Sequence, residues 1–111
     1  MEYYFIGERE LLLGFKLVGV DGTAVNNRGD ALEAFLLMTG QSSKVSGPSS
    51  GDRPKILILT EDVADMLDKE VLDWQIGGKV PLIVEIPGLQ GHLAGRKTLT
   101  DSIREAVGIR V

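Results

Sequence analysis

Short apolar runs alternate along the chain with stretches whose apolar residues recur every three or four positions. The runs predict four strands, at 3–6, 23–25, 55–60 and 80–88. The periodic stretches predict four helices, at 8–18, 28–39, 61–76 and 98–107. Regular alternation of strands and helices predicts a parallel sheet that is covered by helices on both faces.

The order of the strands follows from the handedness of their connections. Right-handed crossovers are close to obligatory between parallel strands. We therefore predict an α/β fold, an open four-stranded parallel sheet with order 2-1-3-4, of the Rossmann or receiver type. We divide the chain into an α/β core (1–97), with a flexible Ser/Gly loop at about 41–53, and a C-terminal helix and tail (98–111) that packs on the core or on a partner.

The helical stripes predict which side chains are buried. Asn26 or Asn27 is expected to cap the second helix, and Thr60 the third. Gly14 interrupts the first helix at a cost of roughly 1 kcal/mol, so we expect it to pack closely on a neighbouring element. The predicted stripes are Leu11, Phe15 and Val18, widened by Leu12, Leu13 and Leu17; Ala31, Ala34, Phe35 and Met38; Val63, Leu67, Val71 and Trp74; and Leu99, Ile103, Ala106 and Val107.

The composition and charge of the chain argue against several classes of function. The chain has 111 residues, the size of one domain, and a net charge of −4 without a basic cluster, which argues against nucleic-acid binding. It has no cysteine and a single histidine, His92, so neither a thiolate nor a multi-histidine metal site is expected. We see no signal peptide and no apolar run near the roughly 20 residues of a membrane span, so we expect no direct membrane insertion.

The point where strand order reverses is the usual ligand site of such a sheet. Here one glycine is followed by two glutamates, whereas a dinucleotide site needs several glycines beside the pyrophosphate. Acidic residues in a first helical turn are stabilised by the helix dipole, but Glu8, Glu10, Glu61 and Asp62 could also converge on a cation. We predict no catalytic residue, cofactor or metal, and keep a receiver-like regulatory domain with a carboxylate metal site as the alternative.

Four stretches together resemble the F subunit of the V-type and A-type rotary ATPases. They are IGERELLLGFKLVGVDG (6–22), KILILTEDVADML (55–67), PLIVEIPG (81–88) and SIREAVGIRV (102–111). The resemblance implies a non-catalytic rotor subunit of the central stalk, with the same four-stranded α/β fold. It implies that the chain binds the D subunit, which forms the coiled-coil shaft, beside the catalytic A/B hexamer. It also implies coupling of ATP hydrolysis or synthesis to rotation and H⁺ or Na⁺ transport, in a cytoplasmic location peripheral to the membrane.

A domain that docks on a coiled coil should present an apolar centre with arginine or aromatic residues around it. The last helix and tail fit this description best. Ile103 and Val107 could instead face the protein's own sheet, and that alternative stays open. The candidate shaft-binding residues are Ile103, Arg104, Val107, Ile109 and Arg110.

Overall fold

The computed structural model describes residues 2–41, 53–89 and 91. In this part of the chain, strands and helices alternate as expected. The elements are β1 (Tyr3–Gly7), α1 (Arg9–Leu17), β2 (Asp21–Ala24), α2 (Arg28–Met38), β3 (Ile56–Thr60), α3 (Glu61–Met66), α4 (Asp68–Ile76) and β4 (Leu82–Ile86).

The sheet has the predicted topology. Its four strands are all parallel and lie in the order β2-β1-β3-β4. In register, Phe5 lies opposite Gly22 on one side and opposite Ile58 on the other, and Ile58 lies opposite Val84. Because paired residues point to the same side, this register defines two faces of the sheet. Phe5, Gly22, Ile58 and Val84 lie on the face that carries α1, which we call the α1 face. The opposite face, which carries α2, is the α2 face.

The α2 face carries the main core. Tyr4, Ile6, Leu57 and Leu59 project from this face and are all buried. They pack with side chains of the three helices α2, α3 and α4 in one cluster. The helical contributions to that cluster are Ala31, Ala34, Phe35, Val63, Ala64, Leu67, Val71 and Trp74. The stripes predicted for the second and third helices therefore do face the sheet, with Met38 partly buried at the margin.

The third predicted helix is two helices. It breaks at Leu67, which ends α3 with φ −109° and ψ 30° and precedes α4. The stripe from Val63 to Trp74 stays buried across the break. The indole nitrogen of Trp74 donates a hydrogen bond of 2.8 Å to the carbonyl oxygen of Pro81, which ties α4 to the start of β4.

The α1 face is covered by α1 over the first two strands. The ring of Phe15 stacks on that of Phe5, with centroids 4.7 Å apart, and Leu12 is buried against the β2 side. The predicted stripe was wrong in part, since Leu11 and Phe15 are only half buried and Val18 is 76% exposed. A helix above two strands of the sheet can bury only a narrow strip of its surface.

Three further expectations have a definite outcome. Gly14 packs on no neighbouring element of the described chain, because a Cβ at this position would have none of its atoms within 4 Å. The second strand begins at Asp21, two residues before the predicted start, and the chain turns at Gly19 with φ +88°. Both helix caps are confirmed: Asn27 accepts from the amide of Asp30 and Thr60 from that of Val63.

Two predicted segments lie wholly or mainly outside the described residues. Most of the Ser/Gly loop (41–53) falls there, as does the C-terminal helix and tail (98–111). The division into a core and a C-terminal helix therefore stays a prediction.

Candidate functional site

The carboxyl edge of the sheet forms a shallow cleft, lined by both polar and apolar residues, where the strand order reverses. It has a volume of about 380 Å³. Parallel strands bring the ends of β1, β2 and β3 together here, so residues distant in sequence share one surface. The lining residues are Gly7, Glu8, Val25, Asn26, Thr60, Asp62, Val63, Asp65 and Met66.

Glu8 connects this cleft to the chain that follows β4. Its Oε1 atom accepts a hydrogen bond of 3.2 Å from the backbone amide of Leu89. Gly88 lies directly against the same carboxylate, and a Cβ there would also come within 3.4 Å of Asp62 Oδ2. The side chain of the residue that precedes α1 is therefore hydrogen-bonded to the chain just beyond β4.

Two of the backbone amides at this edge have partners within the protein. Thr60 Oγ1 accepts from the amide of Val63 at 3.3 Å, and the carbonyl of Glu8 accepts from Leu12 at 3.0 Å. Within 2–41, 53–89 and 91, no group of three or more histidine, aspartate or glutamate side chains could hold a metal ion. The carboxylates of the alternative hypothesis are thus not gathered into a metal site there; Glu8 instead accepts from the amide of Leu89, and Glu10 is exposed.

A second candidate surface is apolar and lies on the α1 face. Beyond α1, the strands β3 and β4 present side chains that no described helix covers. Leu82 is 61% exposed, Val84 43% and Tyr3 46%, and two isoleucines between them are partly buried. We call this surface the open half-face; it consists of Tyr3, Ile56, Ile58, Leu82 and Val84.

An apolar groove continues from the open half-face around the edge of β4. It has a volume of about 520 Å³ and lies between this strand and α4. Leu72 and Ile76 line it on the helix side and are 52% and 75% exposed. Together with Leu82 and Val84, they make one continuous apolar border along this side of the domain. Exposed apolar patches of this kind commonly mark a contact with another element or protein.

The outer side of α1 adds a third apolar area. Leu13 and Leu17 are 55% and 88% exposed and lie one helical turn apart. Gly14 lies beside them with open space above it. We treat this area as separate, because it points away from the sheet.

The structure does not place the sequence-predicted partner residues. Ile103, Arg104, Val107, Ile109 and Arg110 all lie outside the described residues. Sequence reasoning missed the open half-face, since the apolar run from 80 to 88 gave no sign that one side would be exposed. The available signal was topological: only one predicted helix, at 98–107, was left to cover that side of β3 and β4.

Comparison with known proteins identifies the family. Residues 4–107 match the family described as ATP synthase (F/14-kDa) subunit. The chain belongs to this family of ATP synthase F subunits. The family match begins at β1 and extends beyond the last described residue, so it includes most of the C-terminal segment.

Several archaeal F subunits align with most of the chain. The F subunit of the A-type ATP synthase of Thermoplasma acidophilum is 32% identical over 107 residues, which cover 96% of this chain and 90% of the relative. That of Pyrococcus abyssi is 28% identical over 115 residues, covering 100% of this chain and 98% of the relative. No helix among the described residues is long and apolar enough to cross a membrane.

Proposed function

We propose that this chain is a non-catalytic rotor subunit in the central stalk of an A-type or V-type rotary ATPase. It binds the D subunit, the coiled-coil shaft, and turns with it inside the catalytic A/B hexamer. In this role it helps couple ATP hydrolysis or synthesis to H⁺ or Na⁺ transport. The observation that carries the proposal is the match to the F-subunit family over residues 4–107.

The chemistry of the carboxyl edge supports a role without catalysis. Phosphates bind where backbone amides at a helix start are free and the local charge is positive. Here Thr60 caps Val63 at the start of α3, whose first turn holds two acidic side chains, and Glu8 accepts from Leu89. We infer a cytoplasmic protein that is peripheral to the membrane and acts through binding alone.

We place the shaft contact on the C-terminal helix and tail. The proposed contact residues are Ile103, Arg104, Val107, Ile109 and Arg110. Apolar and arginine side chains are the usual energetic centres of protein interfaces. Of these, Ile109 follows Gly108, the predicted end of the helix, where the isolated domain has least need to bury it.

The test is direct binding of the full chain to the purified shaft protein. Size-exclusion chromatography and titration calorimetry should show a 1:1 complex at micromolar concentration. Ile109→Glu should weaken the affinity by roughly tenfold to a hundredfold, because it places a charge in an apolar contact. Leu17→Glu is the matched control, since Leu17 is 88% exposed on α1, and it should bind as the wild type does.

Two results would count against the proposal. One is separate elution of the two proteins at micromolar concentration. The other is a nucleotide or Mg²⁺ ion that raises the melting temperature of the isolated chain in a saturable way, since ligand binding to the native state stabilises it. The second result would revive the receiver-like alternative, and loss of the Mg²⁺ effect in Asp62→Asn would assign it to the carboxyl edge.

A further inference from the structure

We draw no further inference here: the strongest candidate, the apolar groove between β4 and α4 that is lined by Leu72, Ile76, Leu82 and Val84, carries none, because nothing in the described part of the chain shows what covers it.

Discussion

The substitution Gly14→Ala should stabilise the isolated protein. Gly14 lies in the middle of α1, and within the described part of the chain a Cβ at this position would meet no atom of another element within 4 Å. An alanine there gains helix propensity without a steric cost. The expected gain in the free energy of unfolding is therefore the propensity difference, about 1 kcal/mol. For a domain of this size, that corresponds to an increase in melting temperature of about 4–8 °C.

Gly22→Ala is the matched control, with the opposite sign. In β2, a Cβ at this position would lie 2.7 Å from Leu12 Cδ1 and against the backbone oxygen of Phe5. Overpacking of this kind typically costs about 1–3 kcal/mol. The same chemical change, glycine to alanine, should thus stabilise at one site and destabilise at the other.

Urea unfolding followed by tryptophan fluorescence measures both effects. The chain has one tryptophan, Trp74, which is 8% exposed and reports on the core between α4 and the sheet. With a slope of about 1–3 kcal/mol per molar urea, Gly14→Ala should raise the midpoint by about 0.3–1 M. No change or a fall in the midpoint would refute the reasoning, since it would mean that Gly14 contacts another part of the chain.

Three further predictions concern the core, the pH dependence and the surface. Phe35→Ala should lower the free energy of unfolding by about 3–5 kcal/mol in urea titration, because Phe35 is fully buried; a loss below about 1 kcal/mol would contradict its place in the core. Burial raises the pKa of Tyr4 above 10.0, opposed by a hydrogen bond, so its neutral form is favoured in the folded state. The folded protein therefore retains this proton better, and its stability should fall as pH rises above about 10, less steeply in Tyr4→Phe; equal slopes would be inconsistent with the shift. Arg28→Ala removes the partly exposed ion pair with Glu70 and should cost less than about 1 kcal/mol, with the loss shrinking in about 1 M salt; a larger, salt-independent loss would point to another role for Arg28.

The sequence was sufficient for the topology because each strand and helix carried its own local pattern. The run KILILT is apolar on both sides and became β3 in the centre of the sheet, next to β1. Asn27 and Thr60 cap their helices because a side-chain oxygen there can accept from an amide three residues later. Such local signals survive folding, and the order of strands follows from handed crossovers.

The predictions that were wrong, for the third helix and for the buried strip of α1, failed for a different reason: both features depend on tertiary packing. Nothing between 61 and 76 is a helix breaker, yet the chain bends at Leu67 while keeping its apolar side on the sheet. In α1, the phase of the buried strip is set by the room that Gly22 leaves for Leu12 and by the ring of Phe5 under Phe15. The periodicity alone places Val18 in the central stripe and Leu12 only beside it, whereas the structure buries Leu12 and exposes Val18.

The candidate surfaces show why a nucleotide-type fold can serve as a binding module. At the carboxyl edge, Glu8 accepts from Leu89, and Thr60 caps the amide of Val63 near the start of α3, the kind of donor that a bound phosphate uses. On the α1 face, the apolar side chains of β3 and β4 extend past α1, and Leu82 and Val84 remain exposed. At the carboxyl edge two amides thus have partners within the protein, whereas the apolar side chains of the open half-face remain partly exposed. The open half-face is therefore the surface where burial against another element or protein would gain the most hydrophobic free energy.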